Sequence, residues 1–238
     1  MRKFIGKVKY HIALFLFEKF AIPNKKREQI SKVVLKKYLP ATPVIIDCGS
    51  HDGSDSVALI KIFRQARIFC FEPVPELYTR LLKNTKPYQS ITSYQLALAD
   101  KNGMLNFYIS EGQSDASSSL LEPIEHLKDH PGTLFNKKIQ VKTSTLDTWA
   151  AENNIAKIDM LWLDMQGFEL KMLKESKVIF KTVSVIHTEV STKETYKDVA
   201  QYNEYRSFLE DNGFVVIIEA IPNGWDMGNV LFVKKAVL

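Results

Sequence analysis

The chain has 238 residues, of which 45% are hydrophobic and 25% charged, an ordinary composition for a globular protein with a substantial core. No stretch approaches the roughly 20 apolar residues that a transmembrane helix needs. The two cysteines are too few for a disulfide framework or a zinc site, and they favour a reducing, cytoplasmic setting.

The net charge of +5 is unevenly distributed, because residues 1–40 hold eleven Lys or Arg against two Glu. Apolar residues recur at helical spacing over 3–20 and again over 25–38, which predicts two amphipathic helices before a main domain at 41–238. A helical cap on that domain is the favoured interpretation. A peripheral contact with an anionic membrane is the alternative, whereas nucleic acid is disfavoured because stacking platforms are missing.

From residue 43 onwards, apolar strands alternate with amphipathic helices. This alternation is typical of a doubly wound sheet with helices on both faces. We therefore predict a Rossmann-like α/β fold with a mostly parallel seven-stranded sheet and an antiparallel C-terminal hairpin strand. The polar segment 110–132 predicts a loop over the ligand cleft. The expected strands are 44–46, 67–71, 94–98, 105–109, 139–142, 158–163, 183–186, 214–218 and 229–233.

The loop after the first strand carries the strongest local signal, because ligands bind at the carboxyl ends of parallel strands. Asp47 ends that strand, and Gly49 and Gly53 allow a sharp turn and a close approach to a ligand. Ser50 and His51 lie between them, ahead of a helix N-terminus that favours a carboxylate. A dinucleotide site instead shows G-x-G-x-x-G, and the acid and two glycines found here count against NAD.

Glu72 follows the second strand, 25 residues after Asp47, and is followed by Pro73. A carboxylate at this place can accept hydrogen bonds from both hydroxyls of a ribose. Together with the glycine loop, Glu72 predicts a nucleoside site.

Three further polar residues are expected at the same sheet edge. Asp164 follows the strand 158–163, and His187 and Glu189 follow the strand 183–186. Such a cluster can supply a general base, with His187 first and Asp164 or Glu189 second. The bland alternatives are a helix N-cap for Asp164 and an ordinary core histidine. A divalent cation on Asp164 and Glu189 is also conceivable, but no dense carboxylate cluster requires one, and we predict no metal ligand.

Taken together, the segments from about residue 43 to 235 resemble class I S-adenosylmethionine (SAM) methyltransferases, and more narrowly the FkbM family. One departure is Gln166, where that family usually has Glu. The matching motifs are VIIDCGSHDGSDS at 44–56, FCFEPVPELYTRLLKN at 69–84, ALADKNGMLNFYIS at 97–110, TSTLDTWAAENN at 143–154, LWLDMQGFELKMLK at 161–174 and NVLFVKK at 229–235.

The resemblance implies SAM bound along 47–53, with its ribose on Glu72 and Asp164 close by. Its adenine would lie near Leu96 to Asp100, which includes Ala97, or against the loop after it. The resemblance also implies O-methylation of a small molecule or glycan, often at a sugar hydroxyl. Two other hypotheses stay open, a nicotinamide-dependent oxidoreductase and a non-catalytic SAM-fold module that binds partners through residues 1–40.

Overall fold

The computed structural model describes residues 30–124 and 132–238, and its elements within these ranges are as follows. The strands are β1 (Val44–Cys48), β2 (Arg67–Phe71), β3 (Ile91–Tyr94), β4 (Ala97–Leu98), β5 (Gly103–Gly112), β6 (Thr133–Ser144), β7 (Met160–Leu163), β8 (Val185–Ser191), β9 (Phe214–Ala220) and β10 (Met227–Lys234). The helices are α1 (Ser54–Ile62), α2 (Pro75–Thr85), α3 (Leu146–Glu152), α4 (Glu169–Glu175) and α5 (Tyr202–Asp211), with 3-10 turns at Lys32–Lys37, Ile179–Thr182 and Lys235–Val237.

Seven strands form the main sheet, in the order β3-β2-β1-β7-β8-β10-β9. The first five of these are parallel to one another, and β10 is antiparallel to both β8 and β9. The predicted seven-stranded sheet with an antiparallel C-terminal hairpin strand is therefore confirmed. The chain order reverses between β1 and β7, which makes their carboxyl ends the expected ligand edge.

Both faces of the main sheet are covered, because its central strands are apolar on both sides. On one face, Ile46 and Leu161 pack with residues of α3, α4 and α5. On the other, Ile45 and Trp162 pack with residues of α1, α2 and the 3-10 turn at Lys32–Lys37. The predicted double cover of the sheet is observed.

Only the end of the basic N-terminal segment lies within the described residues. The helix predicted over 3–20 and the start of the one over 25–38 lie outside them. The described part forms a 3-10 turn and not an α-helix, and it packs Val34 and Leu35 onto the sheet. No helix among the described residues is long and apolar enough to cross a membrane. Membrane contact through 1–40 stays a prediction.

A second sheet of three strands, in the order β4-β6-β5, was not expected from the sequence. The single strand predicted at 94–98 is in fact two strands. Tyr94 ends β3 in the main sheet, whereas Ala97 pairs with Thr143 of β6 in the second sheet. The chain thus leaves the main sheet beside the ligand edge, and the long β5–β6 hairpin extends from that point.

Candidate active site

An open cavity lies at the carboxyl ends of β1, β2 and β7, and its empty space of about 620 Å³ includes solvent at its open side. The segment 113–120 borders it opposite the sheet edge. The residues predicted to bind the cofactor that line this cavity are Gly49, His51, Glu72, Pro73, Ala97 and Asp164.

Gly49 sits where the loops after β1 and β7 touch. Its backbone is left-handed, with φ of +76°, and a Cβ placed on it would lie 1.8 Å from the carbonyl oxygen of Asp164. The backbone N–H groups of Gly49 and Ser50 both donate to the carbonyl of Phe71, at 3.1 and 3.0 Å. Glycine is required here because any side chain would push the two loops apart.

Asp47, Ser50 and Gly53 support this loop from behind and do not line the cavity. Asp47 is buried and accepts a hydrogen bond from the hydroxyl of Ser56, and burial raises its pKa to about 7. The Ser50 hydroxyl donates to the Asp47 carbonyl at 2.7 Å. A Cβ on Gly53 would lie 2.6 Å from Leu81 Cδ1, so this glycine allows α1 to pack on α2. Direct ligand contact by these three residues stays a prediction.

Glu72 presents an oriented carboxylate to the cavity. Its Oε2 accepts the backbone N–H of His51 at 3.0 Å, and its Oε1 accepts that of Val74 at 2.8 Å. Burial raises its pKa to about 8, although the two backbone hydrogen bonds favour the ionised form. Each oxygen keeps a lone pair for one more donor, which suits the two hydroxyls of a ribose.

Beside Glu72 the cavity wall is apolar. Ala97 and Leu98 come from β4, Phe107 from β5 and Leu77 from α2, and Leu120 adds to the same wall. Such a wall can hold a flat heteroaromatic ring by apolar contact. The second sheet, which the sequence did not predict, thus supplies part of the site.

Three polar side chains connect three chain segments across the cavity mouth. His51 Nε2 lies 2.9 Å from Asp115 Oδ1, and the Arg80 guanidinium donates to the other oxygen of Asp115. We call this the mouth bridge. Of its members only His51 was singled out in the sequence. Arg80 is one of several charged residues on α2, and Asp115 lies in a serine-rich stretch, so nothing in the local pattern identified them.

Asp164 lies on the floor of the cavity, on the other side of β1 from Glu72. The residue is exposed at the surface of the cavity, and the protein packed around its carboxylate raises its pKa to about 6. The helix N-cap alternative is not observed, because the N-cap of α4 is Phe168.

Asp164 and Glu189 are brought together, as predicted, through a third residue. Gln166 Nε2 donates to Asp164 Oδ1 and to Glu189 Oε2, each at 2.7 Å. The hydroxyl of Tyr196 donates to the Ser117 carbonyl at 2.7 Å and also lies 3.2 Å from Gln166 Oε1. No group of three or more His, Cys, Asp or Glu among the described residues is arranged to hold a metal ion.

His187 does not join this cluster. The predicted strand end at Ile186 is wrong, because β8 pairs with β10 as far as Ser191 and so contains His187. The imidazole stacks on the ring of Trp162, with centroids 3.6 Å apart, on the sheet face covered by α1.

Burial, with a smaller effect of Lys32, lowers the pKa of His187 to about 3. Its ring does not line the cavity, and a base of such low pKa accepts protons weakly at neutral pH. Its role as general base stays a prediction that this location does not favour.

Residues 47–216, which include the loops and carboxylates of the cavity, match the Methyltransferase FkbM domain. The chain belongs to the FkbM methyltransferase family. The match begins at Asp47, at the end of β1, and covers more than half of the chain.

Two relatives show how this FkbM chain compares with other proteins. It is 34% identical over 160 residues to the 2-O-methyltransferase NoeI of Sinorhizobium fredii, a match that covers 65% of this chain and 66%, just under two thirds, of NoeI. It is 24% identical over 204 residues to the methyltransferase sdnD of Sordaria araneosa, covering 74% and 75% of the two chains.

Among solved structures, the fibrillarin pre-rRNA processing protein of Methanococcus jannaschii is 13% identical, with a TM-score of 0.49, over 83% of this chain and 69% of that one. A likeness this distant has no bearing on the site.

Proposed function

We propose that this FkbM protein transfers a methyl group from SAM to a hydroxyl oxygen, and that its acceptor is a sugar, a glycan or a related metabolite. The observation that carries the proposal is that Glu72 and Asp164 line one cavity, on either side of β1. The printed name of NoeI, a 2-O-methyltransferase, supports an oxygen acceptor. Family membership argues against the nicotinamide-dependent alternative.

The proposed binding of SAM is supported by the match between its chemical groups and the residues around the cavity. The two free lone pairs of Glu72 suit the ribose hydroxyls, and the wall around Leu98 and Phe107 suits the adenine ring. Gly49 lets backbone approach the ligand without a side chain between them. These residues would hold SAM at the topological switch point of the sheet.

The proposed activation of the acceptor hydroxyl depends on Asp164. SAM held beside Glu72 would supply an electrophilic methyl group on a sulfonium, for transfer to the acceptor oxygen with a neutral thioether as the leaving group. The hydroxyl proton goes to the carboxylate of Asp164. A pKa of about 6 leaves that carboxylate mostly ionised at pH 7 and basic enough to accept a proton. Holding the acceptor in line can itself contribute about 7–11 kcal/mol to lowering the barrier.

Among the three residues predicted as the base, the geometry favours Asp164. Glu189 shares the amide of Gln166 with it and belongs to the same cluster. His187 is separated from this cluster because its ring stacks on Trp162 and does not line the cavity. We therefore assign the proton to Asp164 first and to Glu189 second.

Calorimetry with SAM, its demethylated product and NADH tests the cofactor. We expect the first two to bind and NADH not to bind. At pH 9, above the pKa of about 8 that burial gives Glu72, Glu72→Gln should weaken SAM binding by about tenfold or more, since a hydrogen bond to a charged group contributes about 1.5–3 kcal/mol. Binding of NADH alone, or an unchanged SAM dissociation constant in the variant, would contradict this assignment. Transfer of labelled methyl into polysaccharide, lipid and protein fractions then identifies the acceptor class.

A further inference from the structure

We propose that Gln166 is a positioning residue, whose amide holds the carboxylates of Asp164 and Glu189 side by side and keeps Asp164 ready to accept a proton at neutral pH. This inference rests on the proposed function, because it concerns the base of that reaction.

The amide of Gln166 has no spare hydrogen-bonding capacity on its donor side. Both of its N–H groups are used, one by Asp164 and one by Glu189. Its Oε1 lies 3.2 Å from the hydroxyl of Tyr196, whose one proton is shared with the nearer Ser117 carbonyl, and its backbone carbonyl accepts the hydroxyl of Ser119 at 2.9 Å. The orientation of the amide is therefore fixed, because the reverse orientation would turn Oε1 towards two carboxylates.

The backbone at this position is also unusual. Gln166 has φ of +52°, in the left-handed region that is uncommon for residues other than glycine. Only 7% of the residue is exposed, and a Cβ on the following Gly167 would lie 2.7 Å from Val199. A strained backbone conformation of this kind persists only where several contacts hold it in place. Here those contacts are with the two carboxylates, Tyr196 and Ser119.

The amide matters electrostatically because it separates two like charges. One oxygen of Asp164 and one oxygen of Glu189 each lie 2.7 Å from Gln166 Nε2, so the two carboxylates are close enough to repel. Without the donor, the pair would retain a shared proton to a higher pH. The hydrogen bond from Gln166 opposes the rise in the pKa of Asp164 that burial causes.

Charged or titratable groups on several neighbouring elements also face Asp164. Gln166, which carries no charge, donates a hydrogen bond to the carboxylate directly. The charged or titratable groups are Asp47 of β1, His51 of the loop after β1, Asp55 of α1, Glu169 of α4, Glu189 of β8 and Tyr196 of the segment after β8.

Two substitutions remove the donor while keeping the length of the side chain. Gln166→Met removes both N–H groups, and Gln166→Glu replaces them with a third carboxylate. The exposed Gln65→Glu is the matched control, because it makes the same chemical change away from the cavity. Retained SAM affinity and thermal stability identify the variants that are folded.

The first readout is the titration of Asp164 in the full-length protein, followed by carbon-13 NMR of labelled carboxyl groups and assigned with Asp164→Asn. We expect the pKa of Asp164 to rise by a unit or more in Gln166→Met, to rise further in Gln166→Glu, and to stay unchanged in Gln65→Glu. If both Gln166 variants fail to fold, Tyr196→Phe should give a smaller rise by loosening the amide. An unchanged pKa in a folded variant would overturn the inference.

The second readout is the dependence of kcat on pH for methyl transfer. The acid limb should move upwards by the same amount as the pKa, with activity recovered above pH 9 and little change in the KM for SAM. If the pKa moved and the acid limb did not, the positioning would stand, but the proposed role of Asp164 in the reaction would be overturned. The two readouts thus separate failure of this inference from failure of the proposed function.

Discussion

Gly49 and Asp164 are in direct backbone contact at the carboxyl ends of β1 and β7, so close that a Cβ on Gly49 would lie 1.8 Å from the Asp164 carbonyl oxygen. This contact joins the loop proposed to bind the cofactor to the loop that carries the proposed base. The two halves of the site therefore depend on one glycine.

Gly49→Ala should abolish SAM binding or weaken it by more than tenfold, because the methyl group must displace the Asp164 backbone. Gly213→Ala is the control, since Gly213 has φ of +84° and open space around its Cβ position. The left-handed backbone alone costs about 1–2 kcal/mol in either variant. Calorimetry and thermal unfolding measure both effects, and equal SAM affinity in the two variants would contradict the proposed contact.

Stability of the ligand-free protein should depend on pH through its buried carboxyl groups. Burial raises the pKa of Asp47 and Glu169 to about 7 and that of Glu72 to about 8. The folded state then binds more protons than the unfolded chain, so the free energy of unfolding falls as pH rises through these values. His187, whose lowered pKa is about 3, acts in the opposite direction, but only below its unfolded value near 6.5.

We therefore expect the free energy of unfolding to decrease between pH 6.5 and 8.5, measured by urea denaturation without ligand. Glu72→Gln should flatten the upper part of this decrease because it removes the group that titrates last. A free energy of unfolding that is constant or rising over this window would show that these carboxyl groups titrate normally.

The sequence predicted the main sheet because its apolar strands are buried on both faces and need no long-range information to be recognised. Glu72 and Asp164 were found for a related reason. Each is the first acid after such a strand, and the carboxyl ends of parallel strands meet at one edge. The register confirms this alignment, with Cys48 beside both Phe71 and Leu163.

The remaining features depend on contacts between distant segments. Asp115 meets Arg80 and His51 only because the β5–β6 hairpin brings the segment 113–120 back to the sheet edge. His187 was misjudged because a polar residue after an apolar run suggests a strand end. Its pairing with Leu231 of β10 keeps it inside the strand, and that pairing is not visible locally.

The mouth bridge should slow the release of SAM without determining its affinity. Asp115→Asn should raise the dissociation rate by up to about fivefold, because exposed ion pairs contribute about 0–1 kcal/mol. Stopped-flow displacement measures this rate, and Asp211→Asn, another exposed aspartate, is the control. A larger effect at high salt than at low salt would rule out an electrostatic bridge.

Substitution of His187 distinguishes this residue from Asp164 as the general base. His187→Phe keeps a ring to stack on Trp162, so we expect kcat to stay within about threefold, well short of the 10²–10⁴-fold contribution of a general base. Steady-state methyl transfer at saturating SAM provides the measurement. A loss of 100-fold or more in a folded variant would restore His187 as the base.

The most direct test is the transfer of labelled methyl from SAM to a glycan acceptor, compared between the unaltered protein and Asp164→Asn. We expect the label in an alkali-stable ether. We also expect a fall in kcat of about 10²–10⁴-fold in the variant, because a general base is lost, with SAM affinity little changed. Equal rates of transfer by the two proteins, or SAM binding without transfer to any hydroxyl acceptor, would contradict it.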